Sequence, residues 1–299
     1  MTQPGPVQRW VLAARPRTLP AALVPVAAGA TVVIHHGTGH APRLVNTVLA
    51  ALVALLLQIG TNFANDYSDG VKGTDEVRVG PFRLTASRLV PASRVKLAAF
   101  ACFGVAALAG LVLSSRSSWW LVLLGAASIL AGWFYTGGPK PYGYYGFGEL
   151  FVLVFFGFVA TVGSAFVQGL GVPMVTWLEA LAAGMAAVVL LEANNIRDID
   201  GDRVSGKKTL AARLGRERAG LLYVTTTVIT VLALALSALG HRWWFIVLLP
   251  LGVVARSYRR PVAMARSTSK GRELLPILPA SAASQLLVGA GLVILNFVR

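Results

Sequence analysis

The chain has 299 residues, of which 56% are hydrophobic and 13% charged, and its formal net charge at neutral pH is +15. A typical soluble domain carries roughly 25% charged residues, so this composition argues against a soluble globular protein. Cys102 is the single cysteine of the sequence, which excludes an intramolecular disulfide and argues strongly against a cysteine-based metal site.

Apolar segments recur along the chain with lengths of about 17–22 residues, which an α-helix needs to cross roughly 30 Å of hydrocarbon. They predict an all-α, polytopic membrane protein that forms one domain, residues 1–299, with about nine transmembrane helices around a central cavity. The first span is the weakest, because it is short and contains Pro20 and Pro25. In chain order the predicted spans are 19–34, 44–65, 96–114, 119–136, 150–169, 175–196, 219–240, 243–257 and 275–297.

The basic residues alternate between the loops that these spans define. If the N-terminus is cytoplasmic, 23 of the 27 lysines and arginines fall on the cytoplasmic side and 4 on the opposite side. This bias is typical of inner loops, so it predicts a plasma-membrane protein with a cytoplasmic N-terminus and an external C-terminus. The positive charge is then explained by topology and by attraction to anionic membrane lipid, and it calls for no nucleic acid partner.

Acidic residues concentrate at two of the predicted helix ends on the cytoplasmic side. At the end of the second span, Asn62, Asp66 and Asp69 are spaced i, i+4 and i+7, and therefore share one helix face. Carboxylates stacked on a helix repel one another, and near the membrane core each costs about 2.5–3.5 kcal/mol. A divalent cation would relieve both penalties.

The second acidic cluster ends the sixth span, four helices later. There Asn194, Asp198 and Asp202 are spaced i, i+4 and i+8, again on one face. An asparagine one turn before an aspartate occurs in both clusters, and a basic, glycine-containing loop follows each. This predicts two pseudo-repeated four-helix halves in parallel orientation plus one further helix, with the two clusters facing each other across a shared cavity.

The chemistry of these side chains favours Mg²⁺. All candidate ligands offer oxygen, whereas the four histidines are predicted on the opposite side, which argues against Zn²⁺. Mg²⁺ usually takes one or two carboxylates and leaves other positions to water or phosphate, so the clusters predict a diphosphate site at the cytoplasmic face. Two simpler interpretations are polar helix termini and the cation site of an ion-coupled transporter, although transporter acids usually lie nearer mid-span.

Six ordered segments of the sequence form a further pattern: Ala14–Pro20, Asn62–Gly70, Gly80–Leu84 with Ser87, Tyr135–Gly143, Gly146–Glu149, and Asn194–Asp198 with Lys208–Leu210. Together they resemble the UbiA superfamily of intramembrane prenyltransferases, and the resemblance covers nearly the whole chain. Within that superfamily they are most similar to the actinobacterial branch that prenylates 1,4-dihydroxy-2-naphthoate in menaquinone biosynthesis. Gly73 stands where the family pattern has a further aspartate, which leaves either Asp75 or the pair Asp66 and Asp69 alone to complete the first motif.

The resemblance implies a reaction. A polyprenyl group would pass from polyprenyl diphosphate to 1,4-dihydroxy-2-naphthoate, releasing diphosphate and CO₂ and giving demethylmenaquinol, with Mg²⁺ as cofactor. The acceptor could instead be 4-hydroxybenzoate or another phenol, and the non-enzymatic alternative is an ion-coupled transporter.

The resemblance also implies a set of site residues, while the roles of Glu149 and Glu192 stay open. The implied Mg²⁺ ligands are Asp66, Asp69, Asp198 and Asp202. The residues implied to orient them are Asn62, Asn65 and Asn194. The cations implied to contact the diphosphate are Lys72, Arg83, Lys140 and Arg197, and Tyr135 is implied to act together with Lys140.

Overall fold

A computed structural model of the chain describes residues 5–36, 43–74, 82–169, 171–239, 274 and 276–298. All regular elements in these ranges are helical, which confirms the all-α prediction. Six of the described helices are long and apolar enough to cross a membrane, and the bent N-terminal pair makes a seventh candidate. The predicted span 243–257 lies outside the described residues, so the count of nine spans stays a prediction.

The helices agree with the predicted spans in place but not always in length. A 3₁₀ turn at Pro16–Thr18 follows α1, another lies at Tyr142–Tyr145, and a π-helix at Leu153–Val159 joins α6 to α7. The α-helices are α1 (Pro6–Ala14), α2 (Pro20–His36), α3 (Leu44–Val71), α4 (Ala92–Ser115), α5 (Leu121–Phe134), α6 (Gly148–Val152), α7 (Ala160–Phe166), α8 (Val175–Val204), α9 (Leu210–Ser237) and α10 (Ile277–Phe297).

The predicted first span forms as α2 in spite of its prolines. Pro20 occupies the first turn of the helix, where its missing N–H group costs no hydrogen bond. The segment before it, Pro6–Thr18, is bent by 50° relative to α2. Within this segment, Arg15 lies between α1 and the 3₁₀ turn with a φ of 55°, in the left-handed region. The bend brings the N-terminal segment against the end of α3, beside the first acidic cluster.

The two helices that carry the acidic clusters are longer than predicted. The predicted spans end at residues 65 and 196, whereas α3 has 28 residues and α8 has 30, and both helices continue past their clusters. The aspartates are therefore held in helical geometry rather than in loops. Each of these helices packs against the helix that follows it, α3 on α4 and α8 on α9. The internal repeat that would explain this similar packing stays a prediction.

The predicted fifth span is a composite of α6, the π-helix and α7. Gly157, within the π-helix, lies directly against α8, because a Cβ atom there would come within 2.9 Å of the Gly184 Cα atom. Such small residues let transmembrane helices approach closely. This contact fixes the π-helix beside α8, and the side chains of Phe155 and Phe156 face the interior space between the helices.

Large apolar side chains cover the outside of the bundle. Leu97 and Leu108 on α4 are 70% and 64% exposed, and Leu123 on α5 is 75% exposed. In water such a surface would drive aggregation, whereas in a bilayer it faces hydrocarbon. The described chain is therefore a multi-pass membrane protein, as its composition predicts.

Candidate active site

A cavity of about 360 Å³ lies between α3, α5, the π-helix and α8. One end is polar and is formed by the ends of α3 and α8; we call it the carboxylate end. The rest of the wall is mostly apolar and comes from residues such as Leu57, Leu124 and Phe155. Six residues of the two predicted clusters line the carboxylate end: Asn62, Asn65, Asp69, Asn194, Asp198 and Asp202.

Asp69 contacts three polar side chains of the cavity wall. It is 3% exposed, and its Oδ1 atom lies 3.0 Å from the Lys207 Nζ atom and accepts a hydrogen bond of 2.6 Å from the Tyr144 hydroxyl. Its Oδ2 atom is 3.6 Å from a guanidinium nitrogen of Arg83. Lys207 belongs to the loop after α8, so its ion pair with Asp69 directly connects the two acidic motifs.

Asp66 contacts the backbone of the turn at Leu84 and Thr85, and its predicted role as a Mg²⁺ ligand stays a prediction. It lies outside the cavity wall, is 1% exposed, and accepts hydrogen bonds of 2.8 and 2.9 Å from the backbone N–H groups of Leu84 and Thr85. The turn that it holds also carries Arg83. These hydrogen bonds hold the turn whose Arg83 side chain lies beside Asp69.

Asp66→Asn is expected to destabilise the protein. The amide keeps one acceptor oxygen but sets an NH₂ group against the second backbone N–H, and an unsatisfied buried group costs about 1–3 kcal/mol. We expect a lower midpoint of thermal unfolding in detergent and a reduced turnover rate. Asp200→Asn makes the same chemical change on an exposed side chain and serves as the control. Equal unfolding midpoints for the two variants would contradict the anchoring role.

The second cluster is anchored to its own surroundings. Both carboxylate oxygens of Asp198 accept hydrogen bonds of 2.6 Å from the Arg197 guanidinium. The Arg197 side chain is fully buried and orients Asp198, and its predicted contact with the diphosphate stays a prediction. Asp202 accepts a hydrogen bond of 3.0 Å from the hydroxyl of Thr209, the N-terminal cap of α9.

The asparagines of the first cluster connect α3 to its neighbours. The side-chain amide of Asn62 donates to the carbonyl oxygen of Ala14 at 2.9 Å, and so ties α3 to the N-terminal segment. The side-chain oxygen of Asn65 accepts a hydrogen bond of 2.7 Å from the hydroxyl of Thr136, which follows α5. Both asparagines also line the cavity, so the same contacts position them there.

The second cluster contributes one more amide than predicted. Asn195 lines the cavity next to Asn194, and its side-chain amide donates to Glu149 at 3.0 Å. Glu149 therefore positions an amide of the cavity wall. Glu192 points away to α9, where it accepts a hydrogen bond of 2.9 Å from Thr226. The sequence left both glutamates open, because Glu149 on α6 and Glu192 on α8 differ only in which neighbouring helix each contacts.

Some of the residues predicted to contact the diphosphate line the cavity and others do not. Arg83 lines it, and so does Tyr135, the predicted partner of Lys140. Lys140 is exposed and lies outside the cavity wall. Lys72 also lies outside this wall, and its Nζ atom donates to the carbonyl oxygens of Thr136, at 2.8 Å, and Gly138, at 3.3 Å.

Two residues that the sequence did not single out complete the carboxylate end. Lys207 and Tyr144 both line the cavity and both contact Asp69. A signal for Lys207 was present, because it follows the second acidic cluster in the same basic loop. Tyr144 sits among several tyrosines, and nothing in the sequence distinguishes it from aromatic residues at the membrane interface.

The donors at the carboxylate end suit a hard divalent cation. Among the described residues, the cavity wall offers carboxylate and amide oxygens and no histidine or cysteine. In the same part of the chain, no three carboxylates, histidines or cysteines form a ready-made metal cluster. Lysine and arginine side chains neutralise two of the carboxylates instead. This arrangement fits Mg²⁺, which takes few protein ligands and shares the rest of its coordination with phosphate. Asp75 lies outside the described residues.

Comparison with known sequences gives matches over most of the chain. The pattern of the UbiA prenyltransferase family matches residues 22–275. The chain is 45% identical over 275 residues to the 1,4-dihydroxy-2-naphthoate octaprenyltransferase of Mycobacterium tuberculosis, covering 90% of each protein. It is 36% identical to the protein of the same name from Escherichia coli, covering 86% of this chain and 88% of the relative.

Solved structures share the fold at lower sequence identity. A UbiA homolog from Archaeoglobus fulgidus bound to GPP and Mg²⁺ aligns with a TM-score of 0.66 at 18% identity, over 97% of this chain and 98% of that one. The apo structure of a UbiA homolog from Aeropyrum pernix aligns with a TM-score of 0.69 at 17% identity, over 92% and 97% of the two chains. At these identities the likeness establishes the fold.

Proposed function

Because this chain belongs to the UbiA prenyltransferase family, we propose that it transfers a polyprenyl group from polyprenyl diphosphate to 1,4-dihydroxy-2-naphthoate. The products are diphosphate, CO₂ and demethylmenaquinol. The observation that carries the proposal is the meeting of both acidic motifs at one end of one cavity, joined by the ion pair between Lys207 and Asp69. The names of the curated relatives support the choice of acceptor.

At the carboxylate end, we assign Mg²⁺ to Asp69, Asp198 and Asp202. Bound Mg²⁺ would neutralise the diphosphate and make it a better leaving group. Lys207 and Arg83 already face Asp69, so they can exchange this carboxylate for diphosphate oxygens when the donor binds. Charge-assisted hydrogen bonds to phosphate are among the strongest in proteins.

The chemistry proceeds by ionisation of the donor. The allylic C–O bond breaks, its electron pair stays on the diphosphate, and the remaining carbocation is attacked by the ring carbon that carries the carboxylate of the acceptor. A new C–C bond forms, and CO₂ then leaves, returning its bonding electrons to the ring. Tyr135 and Asn195 line the cavity near the carboxylate end and are the candidates to position the acceptor.

The apolar part of the cavity is assigned to the polyprenyl tail. Ala50 and Asp69 both line the cavity, and their separation of 19 positions along α3 corresponds to roughly 28 Å at about 1.5 Å per residue. Gly125 and Gly163 also line it, and a Cβ atom at either position would meet nothing within 4 Å. Side chains added there would therefore occupy space that the tail uses.

Gly163→Leu is expected to restrict the protein to donors with short polyprenyl tails. We expect near-normal turnover with geranyl diphosphate and a loss of about tenfold or more with octaprenyl diphosphate, because overfilling an apolar space is costly. The measurement is kcat/KM along a series of donor lengths. Gly104→Leu is the matched control, since Gly104 is an exposed glycine of α4 with similar open space. An identical length profile for the two variants would contradict the assignment of the tail.

We place the carboxylate end at the cytoplasmic face of the plasma membrane, because the basic loops that follow α3 and α8 favour that side. A cysteine introduced at Lys140, in a protein whose native Cys102 is replaced by serine, is expected to react with an impermeant maleimide only in inverted membrane vesicles. Labelling in intact cells alone would reverse the orientation.

The reaction itself is tested with purified protein in lipid nanodiscs, Mg²⁺, octaprenyl diphosphate and a panel of aromatic acceptors. The proposal expects prenylated naphthoquinol, diphosphate and CO₂ in equal amounts with 1,4-dihydroxy-2-naphthoate. Product formation with 4-hydroxybenzoate alone would refute the acceptor, and transport of an ion without any prenylated product would refute the enzyme.

A further inference from the structure

A second cavity, of about 390 Å³, lies beside the carboxylate end. Its wall includes Lys72, Lys208 and Tyr144, together with Gly206 and two prolines of the loop after α5. Lys72 and Lys208 are both exposed, so this cavity is at the surface of the described structure. We call it the basic vestibule.

Tyr144 is the wall that the two cavities share. Its hydroxyl reaches Asp69 in the main cavity, while the Nζ atoms of Lys72 and Lys207 lie 4.8 and 4.7 Å from the centre of its ring. Its carbonyl oxygen accepts a hydrogen bond of 2.8 Å from the Lys208 backbone N–H. Among the described residues that line the two cavities, Tyr144 belongs to both walls and therefore lies between the diphosphate site and the basic vestibule.

Each turnover of the proposed reaction leaves a multiply charged diphosphate at the carboxylate end. The apolar part of the cavity is closed to it, because moving charge into hydrocarbon is strongly unfavourable. The released anion must therefore leave past the polar wall. On that side, the described structure has both open space and positive charge beyond Tyr144.

We propose that the basic vestibule binds the diphosphate released from the main cavity, with Tyr144 as the movable partition and Lys208 and Lys72 as the receiving cations. The inference rests on the proposed function. The step involves no covalent change: the anion exchanges Lys207 and Arg83 for the two vestibule lysines and then enters water.

The electrostatics of the vestibule favour an anion. Partial burial lowers the pKa of the Lys72 ammonium below its usual value, while Asp69 raises it and the positive charge of Lys207 lowers it. An anion beside Lys72 would offset the repulsion from Lys207. Lysine side chains are compact point charges on flexible stems, and such groups can follow a ligand as it moves.

The test measures binding of inorganic diphosphate by calorimetry while the main cavity is saturated with Mg²⁺ and an unreactive thio analogue of geranyl diphosphate. Wild-type protein in phosphatidylcholine nanodiscs is expected to bind one further diphosphate. Lys208→Gln is expected to weaken this binding about tenfold, as loss of a charge-assisted contact does, and Lys208→Arg to restore it. Arg218→Gln removes the same charge from an exposed position on α9 and is expected to have no effect.

Three other outcomes would overturn the vestibule site, reassign its ligand or count against the proposed function. Absence of a second diphosphate in the saturated wild type, or an equal loss in Arg218→Gln, would overturn the vestibule site. Loss of binding on adding phosphatidylglycerol would assign the same cations to a lipid headgroup instead. Failure of the wild type to bind the donor analogue at all would count against the proposed function, so the two failures are distinguishable.

Discussion

Asp69→Asn is expected to lower kcat on the order of 10³-fold, because it removes a carboxylate from the group proposed to hold Mg²⁺ at the leaving diphosphate. The amide keeps the size of the side chain and can still accept a hydrogen bond from Tyr144. Without the negative charge, however, it no longer balances Lys207 and Arg83. The measurement is steady-state turnover in nanodiscs at saturating donor and acceptor, together with the thermal unfolding midpoint of the purified variant.

The matched control for this prediction is Asp200→Asn. Asp200 belongs to the second acidic motif, but its side chain is 59% exposed and pairs with Arg216 at 3.2 Å, outside the cavity wall. Exposed ion pairs contribute little to stability. We expect Asp200→Asn to retain nearly full turnover, and similar losses in both variants would show that acidic charge in general, not its place in the cavity, governs the rate.

Lys207→Met is expected to lower kcat on the order of 10²-fold, because it removes a cation that is proposed to neutralise the departing diphosphate. Methionine keeps much of the apolar stem and so preserves packing around the loop. Lys207→Arg keeps the charge and is expected to recover most of the activity. Because the effect falls on the chemical step, it should appear in single-turnover experiments as well as in the steady state.

The variant Lys140→Met tests whether Lys140 contacts the diphosphate, as the sequence predicts, or lies away from it, as in the structure. The family resemblance implies that Lys140 contacts the diphosphate, whereas the structure brings Lys207 to the cavity and leaves Lys140 exposed. We expect Lys140→Met to change turnover less than twofold, within the small effects usual for surface substitutions. A loss of turnover equal to that of Lys207→Met would show that Lys140 contacts the diphosphate, as the family resemblance implies.

The sequence predicted the helical architecture and the general place of the site because both depend on strong, local signals. Long apolar segments predict helices, and helical spacing places Asp69 on one face and Asp198 with Asp202 on another. The pairing of two such clusters predicted that they share a cavity, and both do line one. These inferences needed only the period of the helix and the cost of isolated charge near hydrocarbon.

The sequence could not predict which aspartate of the first cluster faces the cavity. Asp66 and Asp69 are three residues apart, and the small rotation between them directs Asp66 to the backbone of the turn at Leu84 and Thr85. Likewise, Lys207 reaches Asp69 because two loops distant in sequence are adjacent in the fold. Such contacts depend on tertiary packing, which residue spacing does not specify.

Equilibrium binding tests most directly whether carboxylates of α3 and α8 act together on one diphosphate. The unreactive thio analogue of geranyl diphosphate is titrated into wild type, Asp69→Asn and Asp198→Asn at fixed Mg²⁺. We predict binding that requires Mg²⁺ and that weakens by about 10–100-fold in each variant, the range seen when metal coordination is disturbed. Binding that is independent of Mg²⁺, or that is lost in one variant and unchanged in the other, would contradict a shared site.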